Sequence, residues 1–277
     1  MTAAPLSPAS TRTLTALLEA RTGQQLAAYR SWRLDVALKP LLKERGLASL
    51  DDLAALSAAG DQALDERIVD ALVNSETSFF RDAPVFDLAR EVVAQVEATG
   101  RRARLWSAGC STGQEPLSLA MSFAERALAG GPVGPEIVAS DVSETALARA
   151  RAGRYTQFEV QRGLPIRRLM QWFEQMRDDW IVAPDLIRAV QYRSHNLVAD
   201  PPPPGRFDLV LCRNVLLYLA PEMKARVFAG LAAALRPGGL LVLGAGETVI
   251  GQTRLFEPSR RFRGLYEKTV EAAARAA

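Results

Sequence analysis

The segment WSAGCSTGQEP, Trp106 to Pro116, carries the clearest chemical potential in the chain. Gly109 and Gly113 stand between an apolar run and a helical pattern, which describes a tight turn from a strand into the positive end of a helix and a close approach of ligand to backbone. There is no third glycine and no Lys-Ser or Lys-Thr, so neither the dinucleotide fingerprint nor a phosphate-binding P-loop is present. Asp141 ends the next apolar run, EIVAS. An acid at the end of a second parallel strand accepts hydrogen bonds from ribose hydroxyls, so loop and acid together point to an adenosine-containing ligand. The bland alternative is that Asp141 caps a helix entering at Thr145.

Gly109-Cys110-Ser111-Thr112-Gly113 also fits the nucleophile elbow of α/β-hydrolases, with Ser111, Asp141 and His195 in the order nucleophile, acid, base. Against this, Asp141 lies on the strand immediately after the elbow, and two more strands follow His195. The hydrolase remains the remote reading. The single histidine and the two cysteines, Cys110 and Cys212, make neither a metal-ligand set nor a disulfide framework. No metal is expected.

The elements that would position these residues follow from periodicity. From Thr11 to Val73, leucines recur at three- and four-residue spacings without a strand signal, with breaks at Thr22-Gly23, Gly46 and Ala59-Gly60-Asp61 and Asp61 as an N-cap. This reads as about four helices. A helix over Val85–Glu97 follows, then strands at Ala103–Ser107, Glu136–Ser140, Phe207–Cys212 and Leu240–Gly244 alternate with helices at Pro116–Ala129, Thr145–Ala152 and Pro221–Leu235. Alternation of this kind implies a parallel sheet with crossover helices and a ligand at the carboxyl ends of the strands. The fold expected is α/β, a Rossmann-like domain preceded by a small all-α domain. The divisions are a terminal stretch 1–10, a helical domain 11–82, and an α/β domain 83–277 with a small insertion around 156–192.

The 277 residues hold 34 basic and 31 acidic side chains, 48% hydrophobic residues and 23% charged ones. This is globular composition. The near balance of charge, spread along the chain, gives no footprint for nucleic acid despite a pI near 9.1. The longest apolar run, Val215 to Ala220, is far below the roughly 20 residues of a membrane span. The start of the chain lacks the basic and apolar regions of a secretory signal, so a cytoplasmic monomer without membrane insertion is expected.

Six segments resemble, in this order, the motifs of the CheR family of chemotaxis receptor methyltransferases. They are NSETSFFRDAPVF (Asn74–Phe86), RLWSAGCSTGQEPLSLAM (Arg104–Met121), ASDVSETALARARAGRY (Ala139–Tyr155), HNL (His195–Leu197), FDLVLCRNVLLYL (Phe207–Leu219) and LRPGGLLVLGAGET (Leu235–Thr248). The resemblance covers about residues 10 to 268. It implies S-adenosyl-L-methionine as cofactor, S-adenosyl-L-homocysteine as product, and receptor glutamate side chains as methyl acceptors. By position it implies cofactor contacts from Ser75, Thr77, Arg81, Gly109, Glu115, Asp141, Asn196, Leu197, Arg213 and Asn214, and a catalytic role for Arg81 and Tyr218. Ser75 departs from the family's usual asparagine, and that one change underlies a second reading, a non-catalytic sensor or scaffold that binds the cofactor or its product.

A glutamate acceptor, with a reference pKa of about 4.3, is ionised at neutral pH and needs no general base. Attack of carboxylate on a sulfonium methyl destroys both charges, so a dry and well-aligned site helps most. The stretch Gln24 to Arg45 is basic through Arg30, Arg33, Lys39, Lys43 and Arg45. It is either a solvated face or, as the resemblance implies, a dock for acidic receptor methylation helices. Phe173 to Val190 has no glycine, whereas relatives that bind a receptor C-terminal pentapeptide have a longer, glycine-containing loop there; methylation independent of that tether is expected. Cys110 and Cys212 end strands expected to be neighbours, as small fillers or as a thiol pair beside the cofactor.

Overall fold

The computed structural model describes residues 7–26 and 32–269. It divides into two compact units, one running up to Asn74 and including Tyr218–Met223, the other formed by Ser75–Leu217 and the chain from Lys224 onward. The division falls ahead of the expected boundary at 82. Phe79 and Phe80 explain the difference, because both are buried in the core of the second unit, and Phe79 packs edge-on against Tyr155 and Phe173 at centroid distances of 5.0 and 5.5 Å.

The described residues of the first unit form α1 (Pro8–Thr22), α2 (Trp32–Arg45), α3 (Leu50–Ala58) and α4 (Gln62–Leu72). Each break has a local cause. Gly23 ends α1 at φ +72°, a Ser49/Asp52 capping box opens α3, and Asp61 caps α4 by accepting from the Leu64 N–H at 3.0 Å. Leu14, Leu34, Leu38, Leu53, Leu64 and Ile68 are fully buried and make the core. The segment from Tyr218 joins this unit through a bridge between Gln24 and Leu219 and a 2.7 Å hydrogen bond from the Gln25 N–H to the Tyr218 carbonyl.

The second unit begins with α5 (Pro84–Glu97) and is built on a seven-stranded sheet in the order β6-β2-β1-β7-β8-β10-β9. The strands are β1 (Arg104–Ala108), β2 (Glu136–Asp141), β6 (Val190–Ser194), β7 (Phe207–Cys212), β8 (Leu235–Leu243), β9 (Phe256–Pro258) and β10 (Tyr266–Lys268). The first five are parallel; β10 pairs antiparallel with both β8 and β9. Strand β7 is buried at every position, as a parallel strand covered on both faces must be. Its Asp208 is tolerated because Arg101 and the Arg104 N–H satisfy it at 3.0 and 2.9 Å. Helices α6 (Gln114–Leu128), α7 (Glu144–Ala152) and α11 (Pro221–Ala234) make the crossovers. Because β2 lies on one side of β1 and β7 on the other, the order reverses at β1 and opens a crevice at its carboxyl end.

Between α7 and β6 runs a small antiparallel sheet, β3 (Arg154–Thr156), β5 (Asp179–Val182) and β4 (Phe173–Met176), with short helices α8 (Gln157–Gln161), α9 (Ile166–Trp172) and α10 (Pro184–Arg188). The insertion therefore ends before the expected residue 192, and β6 takes over at Val190. Helix α6 starts at Gln114, two residues ahead of Pro116, whose missing N–H costs nothing in a first turn without intrahelical partners. No helix among the described residues is long and apolar enough to cross a membrane.

Candidate cofactor site

At the end of β1 the chain turns through Gly109 at φ +78°, Ser111 at +52° and Gly113 at +93°. The first glycine is required sterically, since a Cβ there would lie 2.5 Å from Val215 Cγ2. That neighbour is protein, as is Ala150 beside Gly113, so both glycines serve close packing of the chain.

Asp141, buried at the end of β2, holds this loop. Its Oδ2 accepts from the Ser111 N–H at 2.7 Å and its Oδ1 from the Ser143 N–H at 3.0 Å. It does not cap the following helix; Ser143 does, accepting from the Ala146 N–H at 3.0 Å. The hydrolase triad is not assembled. Ser111 Oγ donates to the Ser75 carbonyl at 2.6 Å, while His195 Nε2 bonds to the Pro201 carbonyl at 3.0 Å and its ring packs edge-on against Trp106 at 5.5 Å. The serine proton has no base to go to.

Glu115 lies in the first turn of α6, where the helix dipole favours a carboxylate. Ser107 Oγ donates to one oxygen at 2.7 Å and Arg213 Nη1 to the other at 2.8 Å. Arg213, at the end of β7, also donates to the Arg81 carbonyl at 2.8 Å and pairs with the Asp82 carboxylate. Burial alone would pull the guanidinium down, but the charges and hydrogen bonds of Glu115 and Asp82 outweigh it and hold its pKa above the ordinary value. Arg81 is thus gripped by its backbone, and among the described residues no hydrogen bond or ion pair reaches its guanidinium.

The His195 N–H bonds to the Asp141 carbonyl at 2.9 Å, which brings the turn after β6 beside the acid. Asn196 Oδ1 accepts from the Val198 N–H at 2.9 Å, so this side chain shapes its own turn; Leu197 is half-buried next to it. Asn214 is left-handed at φ +58°. Thr77 is half-buried and Ser75 exposed.

The second unit therefore brings together Gly109, Glu115, Asp141, Asn196, Arg213, Asn214 and the backbone of Ser75 and Arg81. Tyr218, Arg33, Lys39, Lys43 and Arg45 lie in the first unit, and Arg30 falls outside the described residues. Cys110 and Cys212 are buried free thiols, each pushed well above the usual range first by burial and then by neighbouring carboxylates. Protonated and sealed, they are packing groups. Asp82 and Glu247 were missed in the sequence, although both lie in quoted motifs; each acts on a partner remote in the chain.

Residues 75–263 match the family described as CheR methyltransferase, SAM binding domain. The chain belongs to this family. The chemotaxis protein methyltransferase of Vibrio parahaemolyticus is 37% identical over 273 residues, spanning 97% of this chain and 99% of the relative. Chemotaxis protein methyltransferase 1 of Pseudomonas aeruginosa is 36% identical over 239 residues, 84% of this chain and 87% of the relative. Among solved structures, the SAM-bound amino pentose methyltransferase CalS10 of Micromonospora echinaspora aligns at 20% identity over 61% of this chain and 58% of that chain, with a TM-score of 0.35. The cofactor of this CheR methyltransferase is S-adenosylmethionine.

The residues fit that group. Arg213 Nε is buried and has no hydrogen-bond partner among the described residues, an N–H suited to a ligand carboxylate. Asp82, Glu115, Asp141 and Glu247 outnumber the one buried guanidinium, which suits a ligand of net positive charge.

Proposed function

We propose that this protein transfers the methyl group of S-adenosylmethionine to glutamate side chains on the methylation helices of chemoreceptors, giving glutamate methyl esters and S-adenosylhomocysteine. The observation that carries this reading is the near full-length match to a chemotaxis protein methyltransferase, 97% of one chain on 99% of the other.

When bound, the cofactor supplies a methyl on a sulfonium, a leaving group that needs no protonation. The chain's task is to bind, orient and exclude water. Asp141 would hold the ribose hydroxyls from the end of β2. Asn196, Leu197 and Asn214 would line the adenosine side, and Thr77, Glu115 and Arg213 the methionine side. Arg81 and Tyr218 would align the acceptor carboxylate, by charge and by a hydroxyl hydrogen bond. An ionised acceptor matches a site in which Ser111 Oγ and His195 Nε2 are both engaged with backbone carbonyls.

Docking falls to α2 in this reading. Leu34, Leu38 and Leu41 face the core of its unit, while Trp32 and Val36, 60% and 65% exposed, continue at helical spacing into exposed Lys39 and Lys43. An apolar stripe ending in two lysines suits an acidic amphipathic helix. The β4–β5 hairpin closes over Arg177 and Asp178 alone, too short to offer the longer glycine-containing loop, which supports methylation without a C-terminal tether. Ser75 meets the glycine loop through its carbonyl, which any residue supplies, and this supports the transferase reading over the sensor.

The test is transfer of tritiated methyl from S-adenosylmethionine to membranes containing candidate receptors. Label released as methanol by mild base is expected. Base-stable label would mean another acceptor atom, and no label with intact cofactor binding would restore the sensor. Calorimetric binding of a receptor C-terminal pentapeptide would overturn tether independence.

A further inference from the structure

Glu247, in the turn after β8, accepts three backbone hydrogen bonds at once. Its Oε2 receives the N–H groups of Asn214 and Gly244 at 2.7 and 2.8 Å, and its Oε1 that of Leu217 at 3.2 Å. The Glu247 N–H returns to the Gly244 carbonyl at 2.9 Å. One side chain thus closes its own turn and the turn that follows β7. Since β7 and β8 are parallel neighbours, both turns open at the carboxyl edge of the sheet that carries Arg213 and Asp141.

The junction has no slack. A Cβ on Gly244 would lie 2.7 Å from Asn214 Nδ2 and 2.9 Å from both Asn214 N and Glu247 Oε2. Asn214 sits at φ +58°, the left-handed region that asparagine enters more readily than most side chains. Only a carboxylate serves three donors without presenting one of its own. A glutamine of equal length offers a single oxygen and turns an NH2 group toward N–H groups.

We propose that Glu247 is a positioning residue: by fixing the backbone of Asn214 and Leu217 it sets the Asn214 side chain toward the cofactor. This rests on the cofactor reading of the Arg213–Asn214 turn. Misplacing such a group by an ångström weakens binding even though the group is still present.

The experiment compares full-length wild type with Glu247→Gln and Glu247→Ala by calorimetric titration of S-adenosylhomocysteine, with thermal unfolding alongside. Both variants are expected to bind at least tenfold more weakly at a temperature where both are folded, with glutamine giving no rescue. A purely structural role lowers the unfolding midpoint and leaves the affinity of the folded protein within twofold of wild type; that result overturns the proposal. If neither variant folds, amide hydrogen exchange of wild type decides. The Asn214, Leu217 and Gly244 amides should be protected and slow further when S-adenosylhomocysteine is added, and free exchange or an unchanged rate overturns the proposal. Failure of wild type itself to bind the product would instead strike the cofactor reading.

Discussion

Arg213 Nη1 lies 2.8 Å from Glu115 Oε2, and only 3% and 14% of the two side chains are exposed. The pair joins the end of β7 to the start of α6 across the crevice where the strand order reverses. Each charge has further partners, Ser107 for the acid, Asp82 and the Arg81 carbonyl for the base. Such a pair is tolerable because each charge keeps these further partners, with Arg213 Nε the one buried donor of the pair left over.

Removing Glu115 leaves the buried Arg213 with the more exposed Asp82 as its remaining carboxylate, so Glu115→Ala is expected to cost about 3 kcal/mol of stability. The loss should exceed that of Asp82→Ala, because the Asp82 carboxylate is 44% exposed and that of Glu115 14%. Urea unfolding of both variants measures this. Equal losses, or a Glu115→Ala loss below about 1 kcal/mol, would show that the pair is solvated in solution.

Arg81 separates backbone from side chain. Its carbonyl is held by Arg213 at 2.8 Å, so Arg81→Ala keeps that bond and removes only the guanidinium. A charge-assisted hydrogen bond contributes about 1.5–3 kcal/mol, so methyl transfer should fall roughly 10- to 100-fold with little change in melting temperature. Tyr218→Phe, tested in the same assay, should lower the transfer rate while product affinity stays near wild type. Unaltered rates in both would remove these residues from the reaction.

The lysines of α2 make a prediction that depends on salt. Reversing Lys39 and Lys43 to glutamate should slow receptor methylation several-fold at low ionic strength, with the difference shrinking as the Debye length falls below about 10 Å. S-adenosylhomocysteine affinity should not move. A rate unchanged at low salt would return α2 to an ordinary solvated helix.

Gly109 is constrained twice, by φ +78° and by Val215 Cγ2 at 2.5 Å from a notional Cβ. Gly109→Ala is expected to destabilise by about 1–3 kcal/mol through backbone and overpacking costs together. Adding Val215→Ala should recover the steric part and leave the backbone part. Strict additivity of the two substitutions would mean that the contact does not exist.

Much of this was legible from residue type. The runs at β1, β2 and β7 are apolar because parallel central strands are buried on both faces, and Asp61 and the Gly23 stop were marked by capping chemistry. Edge elements hid. Strand β6 reads VQYRS, with polar residues facing solvent, and the β4–β5 turn places Arg177 at φ +57° where glycine or asparagine would have been the signal. Asp141 as a helix cap is a fair local alternative, but Ser143 sits two residues nearer the helix and takes that role. Contacts made across the fold carry no local spacing at all: Glu115 and Arg213 are 98 residues apart, and Glu247 and Asn214 are 33.

Acid stability offers a test of the fold away from the crevice. Glu136, at the start of β2, accepts from Arg104 Nε and Nη2 at 2.7 and 2.9 Å, and that hydrogen bonding, ahead of the opposing burial, holds its pKa below the usual carboxylate value. A carboxyl depressed in the folded state binds its proton more readily in the unfolded chain. Its stabilisation is therefore complete above the unfolded value of about 4.3 and drains away as pH falls through the lower folded value. Glu136→Gln should be less stable than wild type at neutral pH, and the two urea midpoints should converge as pH drops from about 6 toward about 3. Midpoints that stay parallel across that range would show that Arg104 gains nothing from the ionised acid.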